Sequence, residues 1–251
     1  MATQTLTNAQ VFIGANDLTG FTGQLDTGSQ CAMRDAPNLG AYGFRIVTPG
    51  IHSSEQTITG NDDYDAATSI GRVLNVAQRG AQFPFGIVQA GTAAVAGSSA
   101  LLGQGLLSKL GRLIGATGDV AGFQATVTGD QPLVYGVVGA PLASRGAHTG
   151  TSLQLGAVGT GPTGVDQRLW AALIVTAASG TNLAVTIQSD NATGFPSAAT
   201  ALTFSTVSAA SAQFTSVAGP ISDDWFRVSA PVGSGPFPYA VPPGVYPWPE
   251  R

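Results

Sequence analysis

The sequence is poor in the side chains that do chemistry. Charged residues make up 10% of its 251 positions, against roughly 25% in an average soluble protein. There is one cysteine, Cys31, two histidines, His52 and His148, and a single lysine, Lys109. One cysteine excludes an intramolecular disulfide framework and fits synthesis in a reducing cytosol. The cysteine and histidines are well separated, with no C-x-x-C or H-x-x-x-H spacing, so no zinc set forms. No G-x-S-x-G elbow occurs, and Lys109 belongs to no G-K-[ST] phosphate loop. Nucleophilic and phosphoryl-transfer chemistry both lack their usual parts. The sequence therefore predicts no enzyme, no cofactor and no resident metal. Cys31 reads as a small core residue and His52 as an ordinary strand residue.

Charge is equally thin. The net charge is −4 and no Lys/Arg cluster is present, which argues against tight nucleic-acid binding. Such a surface does not keep monomers apart by repulsion, so much of it is expected to be covered by copies of itself. Residues 1–10 (MATQTLTNAQ) carry neither a charged n-region nor an apolar h-region, and no secretion signal is expected there. Residues 80–108 hold no formal charge, yet Gln82, Pro84, Gln89 and Gln104 interrupt them and no flanking bias supports membrane insertion. They read as a buried or subunit-covered segment, with no membrane partner.

What the chain does have is short apolar stretches set among Gly, Ala, Ser and Thr. Hydrophobic residues make up 43% of it, enough for one large β domain or two modest ones. Between 169 and 241 it reads LWAALIVT, LAVTIQSDN, TFSTV, DDWFRVS and FPYAV, separated by Gly, Ser, Asn and Pro. That is the pattern of antiparallel strands with one buried face. The first sixty residues alternate similarly, with a turn at Asn16-Asp17 and a break at Pro49-Gly50. Between two of their strands lies the loop RDAPNLGAY at 34–42.

One helix is expected, in DYDAATSIGRVLNVAQR at 63–79. Ala66, Ile70, Val73, Leu74 and Ala77 fall at helical spacing, and Asp62, Asp63 and Asp65 suit its N-terminus. LLGQGLLSKLGRL at 101–113 offers a second helical pattern, weakened by about 1 kcal/mol at each of Gly103, Gly105 and Gly111. Residues 122–138 read as a hairpin turning at Gly129-Asp130. Small and polar residues gather at 141–150, before alternation restarts at Leu153, and mark a boundary. The prolines from Pro236 to Pro249 argue against helix and central strand, leaving an extended arm or an irregular cover.

Three motifs invite chemistry and lack the rest of it. Asp62, Asp63 and Asp65 fail the calcium-loop spacing, with no glycine sixth and no closing glutamate; helix capping explains them. Ser189-Asp190-Asn191 reads equally as an ion-holding turn or an Asx turn. Gly159-Thr160-Gly161-Pro162-Thr163-Gly164 matches G-x-G-x-x-G. The run after it is rich in adjacent β-branched residues (Ile174, Val175, Thr176) and lacks a polar face. Those glycines read as a loop between antiparallel strands.

Together these phrases resemble the major tail tube proteins of long-tailed bacteriophages. VFIGANDLTGFTGQLDTGSQ is similar to that family's opening hairpin, and YGFRIVTPGIHSSEQTITG, with its Pro49-Gly50 pair, to the next. GDVAGFQATVTGDQPLVYGVV resembles the closing strands. SLQLGAV, RLWAALIVTAASGTNLAVTIQSDNATGF, ALTFSTV and SVAGPISDDWFRVS look like a β-sandwich domain appended to such subunits.

The resemblance implies a mainly β fold. A tail-tube-type β-sandwich or barrel with one helix would span 1–142, with a linker at 143–150. A second, C-terminal β-sandwich domain with the proline-rich tail would span 151–251. It implies a structural virion protein, made in the host bacterial cytoplasm, that polymerises as stacked and commonly sixfold rings into the DNA-conducting tail tube. The implied partners are copies of itself and other tail proteins such as tape measure, tail terminator and distal tail proteins. DNA would pass through without tight binding. The loop bearing Arg34, Asp35, Asn38 and Tyr42 is the expected contact between rings, because Arg and Tyr are favoured at interface hot spots. The alternative is a virion-surface decoration or carbohydrate-binding protein, with Trp170, Trp225 or Trp248 as a sugar platform.

Overall fold

Alternating runs this short bury only one face each, so they become stable by pairing edge to edge and stacking. The computed structural model describes residues 9–35, 47–62, 70, 74–75, 80–90, 93–114, 116, 118–155, 167–177, 180, 182–219, 222–233 and 237–247. The strands are β1 (Gln10–Ile13), β2 (Asn16–Asp17), β3 (Thr22–Asp35), β4 (Val47–Asn61), β5 (Phe83–Gln89) and β6 (Ser99–Ile114). Next come β7 (Gly122–Gly129), β8 (Val134–Val137), β9 (Ala140–Arg145), β10 (His148–Thr149), β11 (Leu153–Gln154) and β12 (Gln167–Val175). The last are β13 (Leu183–Asp190), β14 (Ala199–Thr203), β15 (Ser211–Ala218), β16 (Trp225–Gly233), β17 (Phe237–Val241) and β18 (Pro243–Pro247). The fold is mainly β, as expected.

Two compact units form. One holds Met1–Gly20, Phe83–Gly103 and Val134–Arg251, the other Phe21–Gln82 and Gln104–Leu133. They do not follow the expected division at 143–150. Ala143, Ser144 and Arg145 there belong to β9, which pairs with β17, and His148 and Thr149 pair with β16.

The first unit is organised around β12. Every residue from Leu169 to Val175 is at most 4% exposed, so this run is buried on both faces rather than one. Leu169, Ala171, Leu173 and Val175 join a cluster with Val185, Ile187, Phe226 and Val228 of a second sheet, ordered β10-β16-β13-β14. Trp170 and Ala172 point the other way, toward Leu102, Val134 and Phe214. Burying each large apolar side chain of this strand stabilises the unit by about 2 kcal/mol. Trp170 stacks on Phe214 with centroids 5.1 Å apart. It is core, which removes it from the expected sugar platform.

β15 lies along one flank of β12. The other flank corrects an expectation, because the proline-rich segment occupies it as a central strand. Ala240 faces Ile174, Pro243 faces Ala171 and Gly244 faces Trp170 in one unbroken register. Strand 237–247 therefore runs as one line, with β9 and β8 on its far side. The prolines are tolerated because their carbonyls still accept. Thr176 N donates to Pro238 O at 3.1 Å and Ala172 N to Pro242 O at 3.2 Å. Antiparallel alternation then turns the backbone groups of Pro243 and Pro247 away from β12.

The second unit is an antiparallel sheet ordered β3-β4-β7, with residues 104–114 of β6 beside β7. The pattern at 101–113 is thus strand, not helix. Its glycines serve close approach: a Cβ at Gly105 would stand 2.4 Å from Thr128 O. The expected hairpin at 122–138 is also revised. β7 pairs with β4 and β6, β8 pairs with β6 and β18, and the two are not paired with each other. At the turn, Asp130 N and Gln131 N both donate to Gln104 O. Of the expected helix, Ile70, Leu74 and Asn75 are helical, with Ile70 and Leu74 buried; its other residues lie outside those described.

Candidate assembly interface

Strand edges decide what a β protein can pair with, because each carries unmet N–H and C=O groups. In the first unit two edges are obstructed. β9 bears Pro141, and Arg145 Nη1 donates to the Pro141 carbonyl at 2.6 Å. On β15, Gln213 Nε2 donates to Ser205 O at 2.8 Å and its Oε1 accepts from Ser205 N at 2.9 Å.

Among the described residues β3 shows no such clamp, although its pairing with β4 shifts register between Thr22 and Gln24 and between Cys31 and Met33. It is 14 residues long, and among the described residues β4 is its one strand partner. It contains no proline and no lysine. β4 pairs with β7 from Ser54 to Asn61, whereas among the described residues 47–53 pairs with β3 alone. Among the described residues the distal hairpin is therefore two-stranded, which is marginal in water without further contacts. Arg34 and Asp35 close β3 opposite Thr48 and Val47. Residues 36–46, Asn38 and Tyr42 among them, lie outside the described residues.

The two faces of this sheet differ. Leu25, Ile58 and Ala125 share one row, and Thr27, Gln56 and Val127 the next. Ile58, Gln56, Ala125 and Val127 are all at most 1% exposed. The opposite face sets Asp26, Thr57, Thr126 and Lys109 across from one another, then Glu55 and Thr128. Hydroxyls bind that face together: Thr128 Oγ1 donates to Ser108 Oγ at 2.9 Å, and Ser108 Oγ to Thr126 O at 3.1 Å. A shallow groove of about 330 Å³ beside the hairpin is lined by Asp26, Ser29, Glu55 and Thr57, among others. The groove thus sets the two carboxylates Asp26 and Glu55 among hydroxyls.

The other candidates resolve as structure. Cys31 is half-exposed and opposite His52, not in a core. Asp62 accepts from Arg112 Nε at 3.1 Å; Asp63 and Asp65 lie outside the described residues. Asp190 settles as an Asx turn, with Ala192 N donating to Oδ1 at 2.9 Å and Ser197 N to Oδ2 at 2.7 Å. That turn holds the buried Phe195 at φ 52°, with the Arg227 guanidinium 4.2 Å over its ring. The run after the 159–164 glycines is β12, a strand, so no phosphate-binding helix follows; the glycines themselves are outside the described residues. Trp225 is half-buried and Trp248 is not described. Burial, and then Arg145, push the His148 pKa below its usual 6.5. Burial raises the Tyr239 hydroxyl above its usual 10.0, with Arg145 opposing.

No protein-family model matches this chain, and no curated protein sequence does. Several solved structures are similar to it, among them the following two. One is a chain of the virion of a native gene transfer agent particle, at 13% identity and TM-score 0.42, covering 53% of this chain and 98% of that one. The other is SPP1 Dit (gp 19.1), from the hub adsorption apparatus of phages infecting Gram-positive bacteria. It has 11% identity and TM-score 0.36, covering 95% of this chain and 99% of that one.

Proposed function

We propose that this chain is a structural subunit of a phage tail tube, assembling into rings that stack into a DNA-conducting channel. The observation that supports this most is the long edge of β3, which pairs with β4 alone among the described strands, in a molecule that obstructs its β9 and β15 edges. A long open edge is an invitation to pair with another chain, and closed rings satisfy every such edge at once. The hydroxyl-rich face carrying Asp26 and Glu55 then suits a channel wall, since acidic hydrated surfaces let a polyanion pass without holding it. Rings would stack through the β3–β4 hairpin and its connecting loop with Arg34, Asp35, Asn38 and Tyr42. No turnover is involved.

Negative-stain microscopy of the purified chain should show rings or tubes. Ser29→Pro and Gln30→Pro then separate edge pairing from folding, because neighbouring N–H groups point to opposite sides of a strand. One substitution should leave the melting transition intact and stop assembly; the other should weaken the β3–β4 ladder. Assembly unaffected by both substitutions would remove β3 as the interface. A parent protein that stays monomeric at all concentrations, or binds duplex DNA tighter than about micromolar at physiological salt, would overturn the tube reading.

A further inference from the structure

A row of side chains crosses the sheet of the second unit and is charged at both ends, with opposite signs. Asp26 of β3 faces Thr57 of β4, Thr57 faces Thr126 of β7, and Thr126 faces Lys109 of β6. Asp26 and Lys109 are exposed, and among the described residues neither side chain has an ion-pair or hydrogen-bond partner. On the opposite face the adjacent row runs from Leu25 through Ile58 and Ala125 to Leu110. Ile58 and Ala125 are 0% exposed, whereas the terminal Leu25 and Leu110 are half-buried. Both rows are complete in the middle and unfinished at their ends. The β6 end is open like the β3 end. β5 lies only along the first part of β6, because Val88 clusters with Ala100 and Gln82 Oε1 accepts from Gln104 Nε2 at 3.2 Å. Beyond Gln104 the described strands leave the side of β6 away from β7 unpaired.

We propose that the β3 edge of one copy pairs head-to-tail with the 105–114 edge of β6 in a second copy, so that Asp26 meets the partner's Lys109 and Leu25 the partner's Leu110. This rests on β3 being an assembly edge and adds which edge receives it. Charge selects the match. Between its two register shifts β3 carries Asp26 as its one charge, and β6 carries Lys109 and Arg112 and no acid. Pairing β3 with β3 or β6 with β6 would bring like charges together, which is destabilising across strands. A lysine on an open edge likewise blocks chance pairing, and an opposing carboxylate lifts that block. Direction agrees as well: four antiparallel strands end on opposite senses, so a second copy in the same orientation continues the antiparallel ladder. A head-to-tail join of this kind extends from copy to copy until a ring closes.

Within one copy, positions 26 and 109 are three strand spacings apart, about 14 Å, which no disulfide spans. In a Cys31→Ser background, the double variant Asp26→Cys/Lys109→Cys should therefore cross-link only between copies. Each copy offers one thiol to either neighbour, so oxidation should give a ladder of covalent trimers and larger species on denaturing gels. Dimers alone, formed equally by Asp26→Cys without the second substitution, would show β3 meeting β3 and overturn the proposal. Charge exchange is the second measurement. Asp26→Lys and Lys109→Asp should each raise the concentration for half-assembly by at least about tenfold at low salt, with melting unchanged. An equimolar mixture of the two should assemble again, because each presents the sign the other lacks. Single variants that assemble like the parent, or that stay apart when mixed, overturn the match. If Ser29→Pro and Gln30→Pro both leave assembly unaffected, the β3 edge and this proposal fall together. If one of them stops assembly while the 26–109 ladder is absent, the β3 edge stands and β6 is not its acceptor.

Discussion

Arg112 reaches Asp62 through Nε at 3.1 Å, and the Asp62 side chain is fully buried while that of Arg112 is 37% exposed. Asp62 Oδ1 has no hydrogen-bond partner among the described residues, so the guanidinium is the carboxylate's main support. Removing it strands a buried charge, which costs more than the pair contributes. Arg112→Met should destabilise by about 2 kcal/mol in urea unfolding. Adding Asp62→Leu should recover much of that loss. A double variant less stable than the single one would show that Asp62 has another essential role.

Gly136 and Gly244 cross so closely that neither admits a side chain. Gly136→Ala should therefore cost at least about 2 kcal/mol through forced backbone movement. Thermal melting compared with Gly146→Ala, where a Cβ would meet nothing within 4 Å, isolates the steric effect. Equal melting temperatures for the two variants would show that the crossing relaxes freely.

Gln56 is 1% exposed, and neither Nε2 nor Oε1 has a hydrogen-bond partner among the described residues. An unmet buried amide is a cost that an apolar side chain of similar length does not incur. Gln56→Met should raise stability by about 1 kcal/mol in denaturant titration. Lower stability would reveal a buried water or a polar partner for the amide.

Tyr239 is fully buried, and its hydroxyl has no partner among the described residues. Its pKa is raised by burial, so in alkali the unfolded chain loses that proton first. Stability should then fall as pH rises through 10 and beyond, toward the higher folded value. Tyr239→Phe should match or exceed the parent by up to about 1 kcal/mol at pH 7 and lose less above pH 10. An alkaline profile identical to the parent's would assign the loss to other groups.

Replacing 35–41 by a tight glycine turn should leave the melting transition nearly unchanged, because of the β3–β4 ladder only the terminal Asp35–Val47 pair falls within it. Tubes should shorten to single rings in electron micrographs. Elongation as efficient as the parent's would make the loop a simple connection and move the stacking contact elsewhere.

Strand content followed from residue type and spacing, while Asp190 stayed open between an ion-holding turn and an Asx turn until its hydrogen bonds from Ala192 N and Ser197 N were seen. These are local properties: alternation, missing donors and short-range side-chain hydrogen bonds act within a few residues. Pairing was not local. Whether 101–113 becomes helix or strand turned on Gly105 meeting Thr128, a neighbour distant in sequence, and tertiary contact outweighed the apolar helical spacing. LWAALIVT showed itself as a strand, yet its burial on both faces depends on two separate layers closing over it. The proline-rich segment shows the limit most plainly. Proline's missing N–H is written in the sequence, but whether that loss excludes a central strand depends on which partner atoms stand opposite. Only the folded sheet set the Pro238 and Pro242 carbonyls against willing donors and buried Phe237, Tyr239 and Val241 deeply enough to outweigh the missing bonds.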